Sequence, residues 1–451
     1  LFGRVLVANR GEIACRLIRA CHDVGAEAVA VYSEADAGAP HVAQADAAVA
    51  IGPGPAAESY LRIDAIVEAA RSTGAEAVHP GYGFLSENPD LATACEAAGL
   101  TWIGPPPAAM LAMADKLEAR RLVHAAGVPV VPGTEGPVDA AAAEAAANEL
   151  NFPLMVKAAR GGGGIGMTVV RDHDQLAAAL TTATARAQAA FGDASVFLER
   201  YVQRPRHIEV QVLGQADGRV IHLRERECSV QRRHQKVVEE TPSMALDDAL
   251  RERLCAAAVR AAEAVDYRSA GTVEFIFDGV AREFFFLEMN TRLQVEHPIT
   301  EEVMGVDLAV AQLRVAAGEP SGIDNPTPRG HAIEFRVYAE DPVRFLPSPG
   351  LLEVWEEPTG NGIRVDSGVA AGYRVSHFYD PLLAKLIVHG GSREEAIERS
   401  IVALGSFRVE GVKHNIPTHL EVLRSPEFRA GDYDTGLLEL IGERRKQAAA
   451  R

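Results

Sequence analysis

Residues 284–297 constrain this chain more than any other stretch. Three phenylalanines and a leucine open it as a buried strand, and Glu288, Asn290, Arg292, Gln294 and Glu296 then recur at every second position. On an extended backbone alternate side chains share a face, so acid, amide, cation, amide and acid would lie in one row. Such a row can hold a metal ion at one end and an oxyanion at the other. Upstream, residues 271–278 read as a second apolar strand with Glu274 inside it, and Asp278-Gly279 is a hairpin signal. A hairpin pivoting near Ala281 places Glu274 opposite Glu288, with both carboxylates on the face of Asn290. Two carboxylates and an amide oxygen are hard ligands, suited to a Mg²⁺ ion that keeps some waters and bridges nucleotide phosphates. The competing reading is an edge strand with a solvated polar face.

The chain has 451 residues, enough for two to four structural units. Its net charge of −17 disfavours general nucleic-acid binding but leaves room for a local basic pocket. No apolar run reaches membrane-span length, and the first residues lack the apolar core of a secretory signal. The missing initiator Met before Leu1 is read as a trimmed start or as a start that lies outside this sequence. Five scattered cysteines form no C-x-x-C pair, which points to a reduced, cytoplasmic setting without a zinc or disulfide framework.

From the N-terminus, apolar strands at 4–9, 28–32, 75–79 and 101–104 alternate with amphipathic helices. The first helix carries Ile13, Leu17, Ile18 and Cys21 on one face. This is the pattern of a doubly wound parallel sheet. Its first turn, Asn9-Arg10-Gly11-Glu12, is no dinucleotide fingerprint. The loop 79–87 falls at a strand's C-terminal end, where open α/β sheets bind ligands. A helix follows Asp115-Lys116, and the alanine-rich 139–150 reads as an exposed helix without function. Lys157 precedes the glycine run 160–167, which lies between two strands. It therefore fails the Rossmann context test and lacks the G-K-[ST] of a phosphate-binding Walker loop. Successive backbone N–H groups of such a loop can still close over phosphate oxygens. The strand 195–199 ends in an acid and two backbone groups able to read an adenine edge and its ribose. Residues 224–240 concentrate Arg232, Arg233, His234 and Lys236, read as a pocket for small anions in preference to a solvated loop or a nucleic-acid surface. Residues 318–330, rich in Pro, Gly, Asn and Asp, read as a linker. Beyond it come the strands at 331–340, 351–369 and 382–389, and a helix at 392–404.

Five motifs together resemble biotin carboxylase, of the ATP-grasp superfamily. They are Ala-Asn-Arg-Gly-Glu-Ile-Ala (8–14), His-Pro-Gly-Tyr-Gly-Phe-Leu-Ser-Glu-Asn (79–88), Cys-Ser-Val-Gln-Arg-Arg-His-Gln-Lys-Val-Val-Glu-Glu (228–240), Glu-Met-Asn-Thr-Arg-Leu-Gln-Val-Glu-His-Pro (288–298) and Phe-Leu-Pro-Ser-Pro-Gly (345–350). The resemblance implies an α/β architecture with a doubly wound N-terminal domain at 1–114. An ATP-grasp domain at 115–317 would carry a mobile lid near 132–203, followed by a linker at 318–332 and a C-terminal α+β domain at 333–445. It implies that Lys116, Lys157, Gly163, Gly164, Glu199, Arg200, Tyr201, Val202, His207, Gln231, His234, Glu274 and Glu288 hold ATP. Glu274, Glu288 and Asn290 would hold Mg²⁺ or Mn²⁺. Lys236, Arg292, Gln294 and Val295 would hold bicarbonate, Glu296 would be the general base, and Tyr82 and Arg336 would meet biotin. Lys236, Arg292, Glu296 and Arg336 would be the catalytic set.

The implied reaction carboxylates biotin N1′ through carboxyphosphate. Implied partners are a biotin carboxyl carrier protein or domain, a carboxyltransferase subunit, and a second copy or a larger complex. Arg16, Arg19 and Asp23 on one helix are candidates for a contact between copies. No Ala-Met-Lys-Met biotin-attachment motif occurs, so the carrier is expected on another chain or segment. Ile165 stands where the family usually has Arg or Lys, which bears on lid closure or ATP affinity. The alternatives are another ATP-grasp carboxylate–amine ligase, or a weakened nucleotide-binding subunit.

Overall fold

The computed structural model describes residues 1–159, 167–324 and 326–449. The glycine-loop positions Gly163, Gly164 and Ile165 lie outside the described residues.

Strands β1 (Arg4–Val7), β2 (Glu27–Tyr32), β3 (Ala47–Ala50), β4 (Ala77–His79) and β5 (Thr101–Trp102) form one parallel sheet in the order 3-2-1-4-5. The helix Gly11–Asp23 buries Ile13, Leu17, Ile18 and Cys21 against it, the face its spacing marked. Arg16 on that helix is buried and tied to Glu301 at 2.9 Å and Asp307 at 2.7 Å, so it is an internal strut. Arg19 pairs with Asp366 at 2.8 Å while keeping an exposed side chain, and Asp23 is exposed.

A small antiparallel sheet follows, with β6 (Leu154–Ala158) between β7 (Thr168–Val170) and β8 (Val196–Arg200). The alanine-rich helix Ala140–Leu150 is not wholly exposed. Ala143 and Ala147 are buried in this unit's core, because small side chains let the helix lie close on the strands.

The central sheet has eight strands. Six of them, in sheet order, are β13 (Glu283–Asn290), β12 (Ser269–Asp278), β9 (Pro205–Gly214), β10 (Val220–Arg232), β11 (Gln235–Thr241) and β14 (His331–Tyr338). The strands Leu382–Gly390 and Ile363–Ser367 complete it. The sheet therefore runs without a break across the predicted linker. The charged segment 224–240 is no loop: it is two strands joined by a two-residue turn. Arg233 and His234 both have positive φ, 48° and 67°, the geometry that suits the twist of a tight hairpin.

Glu240 ties the interior strand β11 to its neighbour β14 and to residues outside the sheet. Its carboxylate meets His331 Nε2 at 2.7 Å, Arg393 Nε at 2.7 Å and the Tyr433 hydroxyl at 2.5 Å. Despite burial, His331 and Arg393 hold its pKa down to about 2, from an ordinary 4.5. A depressed carboxylate stabilises the fold above the unfolded pKa, and that contribution is lost as pH falls through the folded one. Glu240 thus contributes a few kcal/mol (order of magnitude,) that fades between about pH 4.5 and 2. Glu240→Gln is expected to flatten the acid limb of a stability-versus-pH curve there, as read by urea midpoints.

Candidate active site

The hairpin of β12 and β13 starts with Asp278 opposite Glu283 and keeps simple register to Phe275 opposite Phe286. A one-residue bulge at Leu287 then shifts the pairing, so that Glu274 faces Glu288 and Thr272 faces Asn290. Without it, Glu288 would point to the other face. The predicted confrontation of Glu274 and Glu288 is therefore present, with the bulge as its cause. On the other side of Glu274 lies Glu209 of β9, and opposite Glu209 lies Arg226 of β10. Four neighbouring strands thus present Glu288, Glu274, Glu209 and Arg226 in one cross-strand row. Three adjacent carboxylates repel each other and require cations.

Lys236 supplies one. Its Nζ lies 2.8 Å from Glu274 Oε1 and 2.7 Å from Glu296 Oε1, and it also bonds Glu209. Arg226, fully buried, donates to Glu209 at 2.5 Å, Gln211 at 2.7 Å, Thr300 at 2.9 Å and Thr272 at 3.0 Å. His207 Nε2 lies 2.7 Å from Glu274 Oε2. Burial opposes it, but Lys236 and His207 hold Glu274 well below the ordinary carboxylate range. Glu288 moves the other way: burial and the charge of Glu274 raise it. One acid of the pair carries its charge at a cost that a further cation would relieve. The oxygen-only donors fit Mg²⁺ or Mn²⁺. Asn290 donates through Nδ2 to Glu274 at 2.7 Å, while its Oδ1 accepts from Arg292 at 3.0 Å. As a metal ligand it would have to free that oxygen.

The strand ends at Asn290, and residues 291–296 form a loop leading into the helix His297–Met304. The expected row survives as convergence and not as a strand. Arg292 bonds Asn290 and Gln294 Oε1 (3.0 Å), Gln294 Nε2 reaches Glu274 (3.1 Å), and Glu296 meets Lys236 and Arg336 Nη2 (3.0 Å). Burial opposes this too, but Lys236, Arg336 and Arg226 hold Glu296 well below its ordinary pKa.

Two cavities flank this charged core. One, of about 340 Å³, is lined by Lys157, Glu199, Arg200, Tyr201, Val202, His207, Gln231 and His234, with Met155, Val169, Ile276 and Leu287 as apolar walls. Lys116 is close enough to feel the charges of Glu288 and Glu199, and burial lowers its pKa. Lys157 pairs with Glu199 at 2.5 Å, and Arg120 holds the same carboxylate. The N–H groups of Arg200 and Tyr201 donate to Pro132 and Pro153 carbonyls. Those two N–H groups and the carboxylate are committed inside the protein, so an adenine edge would have to be read by other groups of residues 199–202. The second cavity, of about 470 Å³, brings together Tyr82, Arg292, Val295, Arg336, Tyr338 and Asp380.

Comparison with known proteins decides the family. Residues 1–110 match the model "Biotin carboxylase, N-terminal domain", and residues 334–440 match "Biotin carboxylase C-terminal domain". Residues 115–322 match "Carbamoyl-phosphate synthase L chain, ATP binding domain". A curated biotin carboxylase of Halalkalibacterium halodurans is 50% identical over 97% of each chain. The chain belongs to the biotin carboxylase family. The propionyl-CoA carboxylase alpha chain of Ruegeria pomeroyi is 47% identical, over 97% of this chain and 68% of that protein. The biotin carboxylase domain dimer of Hydrogenobacter thermophilus 2-oxoglutarate carboxylase was solved with MgADP, ADP and bicarbonate. It is 44% identical, covers 97% of both chains and superposes with a TM-score of 0.92.

Sequence reasoning does not single out four residues around this biotin carboxylase site: Arg120, Glu209, Arg226 and Lys385. Glu87 accepts Arg292 Nε at 2.9 Å and the Thr291 N–H at 3.0 Å, docking the loop after β4 onto the central site. The sequence singles out that loop, but the partner of Glu87 lies some two hundred positions away. Glu209 sits in a cleanly alternating strand and Arg226 in the charged run 224–240, and only the pairing of β9 with β10 shows that they meet. No helix among the described residues is long and apolar enough to cross a membrane.

Proposed function

We propose that the chain carries out the ATP- and bicarbonate-dependent carboxylation of biotin N1′, the first half-reaction of a biotin-dependent carboxylase. One observation carries this reading. Lys236, Glu296 and Arg336 form a continuous buried chain of contacts linking the Glu274–Glu288 pair and its nucleotide-sized cavity to the Tyr82–Arg336 cavity. ATP occupies the first cavity in this reading, with its triphosphate toward Glu274 and Glu288. Lys116, Lys157, His207, Gln231, His234 and residues 199–202 hold the nucleotide. Glu274, Glu288 and Asn290 would hold Mg²⁺, which would supply neutralisation of phosphate charge.

Bicarbonate lies on Lys236, Arg292, Gln294 and the Val295 N–H. Glu296 takes its proton, and a bicarbonate oxygen attacks the γ-phosphorus as ADP leaves, giving carboxyphosphate. A base held far below its ordinary pKa is weak. Bicarbonate corrects this by drawing Lys236 toward itself, which raises the proton affinity of Glu296 when substrate is present. Carboxyphosphate splits into CO₂ and phosphate, phosphate removes the N1′ proton, and N1′ bonds the CO₂ carbon. Arg336 stabilises the anionic ureido oxygen, and Tyr82 bounds the biotin pocket.

The likeness to a propionyl-CoA carboxylase chain supports work within a carboxylase complex. The partners in this reading are a biotin carrier protein or domain and a carboxyltransferase subunit. A homodimer is the simplest assembly. The units proposed are 1–114, 115–317 with a lid at 132–203, a linker at 318–332, and 333–445. The deciding experiment measures ADP release with and without bicarbonate and free biotin. Stimulation by both is expected, and release driven instead by an amine would refute the reading. Glu288→Gln is expected to raise the Mg²⁺ concentration for half-maximal rate at least roughly tenfold. A magnesium titration of the initial rate measures it.

A further inference from the structure

Lys385 has no exposed surface, although lysine is among the residues least often buried. It lies on the strand Leu382–Gly390, directly opposite Arg336 of β14 on one side and Asp366 on the other. It therefore shares the sheet face that Arg336 presents to the second cavity. Its Nζ donates to the Val295 carbonyl oxygen at 2.8 Å and lies 3.2 Å from Glu12 Oε2. Glu12, in the first turn of the helix Gly11–Asp23, accepts the Tyr82 hydroxyl on its other oxygen.

The Val295 carbonyl belongs to the rigid peptide that leads into Glu296. The preceding carbonyl, that of Gln294, accepts His297 Nδ1 at 2.7 Å and so aims the Val295 N–H of the same planar trans peptide in the opposite direction. His297 and Lys385 thus fix two consecutive peptides, and Val295 and Glu296 project from them.

We propose that Lys385 and Glu12 are positioning residues for both small substrates: Lys385 sets the Val295–Glu296 turn for bicarbonate, and through Glu12 it sets Tyr82 for biotin. This rests on the roles given to Val295, Glu296 and Tyr82 in the proposed function. A buried ion pair that served stability alone would be replaceable by apolar packing. Here its removal should change substrate affinity in a defined pattern. In the full chain, Lys385→Met is expected to raise the KM for bicarbonate and for free biotin each roughly tenfold or more, with the KM for ATP unchanged. Glu12→Ala leaves the contact of Lys385 with Val295, so it should raise the KM for biotin and spare that for bicarbonate.

An unchanged bicarbonate KM in Lys385→Met, or an equal rise in all three KM values, overturns the proposal. If Lys385→Met fails to fold, Glu12→Ala decides alone, and a rise in both KM values or in neither overturns it. Wild-type protein without bicarbonate-dependent ADP release would instead overturn the functional reading itself.

Discussion

Glu296→Gln is expected to lower bicarbonate-dependent ADP release by about 10²–10⁴-fold while MgADP binding is retained. The side chain keeps its size, so the turn 294–296 and its contacts with Lys385 and His297 have no reason to move. Proton affinity is what disappears. Lys236 keeps Glu209 and Glu274 as partners, and Arg336 keeps Glu239 at 2.7 Å, so neither cation is left uncompensated. A loss confined to turnover would therefore report the missing base and not a collapsed site. Initial rates at saturating bicarbonate, paired with calorimetric titration of MgADP, separate the two. A variant that keeps most of its turnover would place the base elsewhere.

Much of this site is legible in the sequence because its parts are local. Alternation places Glu288 and Asn290 on one face, and the turn signal after Phe277 brings Glu274 against Glu288. The same alternation over-reaches beyond Asn290, where the backbone leaves the sheet. Arg292, Gln294 and Glu296 still converge, held by hydrogen bonds to one another and to Glu274 instead of by pleat geometry. The bulge at Leu287 leaves no trace in the sequence, because any residue can occupy it, yet the opposition of Glu274 and Glu288 depends on it. The turn at Arg233 and His234 is hidden inside a charged run because neither residue is a usual left-handed turn former. Such backbone strain is found where function fixes a conformation. It brings His234 to the nucleotide cavity while Lys236 turns inward. Arg16 is hidden for a related reason: a charged residue on a helix reads as surface, and its partners, Glu301 and Asp307, lie far along the chain.

Arg226 gives the largest expected effect on stability. It is fully buried, and four hydrogen bonds from its guanidinium reach neighbouring strands and the helix His297–Met304. Arg226→Met leaves Glu209 with no exposed surface and Lys236 as its remaining cation, already shared with Glu274 and Glu296. Breaking a buried pair by deleting one partner costs about 3–5 kcal/mol. A loss of that size in unfolding free energy, read from urea denaturation, is expected, together with weaker nucleotide binding as the acid row spreads. The excess charge and the lost packing can be separated by the double variant Arg226→Met with Glu209→Gln. If the stranded carboxylate is the cause, neutralising it recovers a large part of the loss, a coupling that a double-mutant cycle measures directly. If the two losses simply add, the row of acids is not what Arg226 balances, and the account of why Lys236 stands among three carboxylates fails with it.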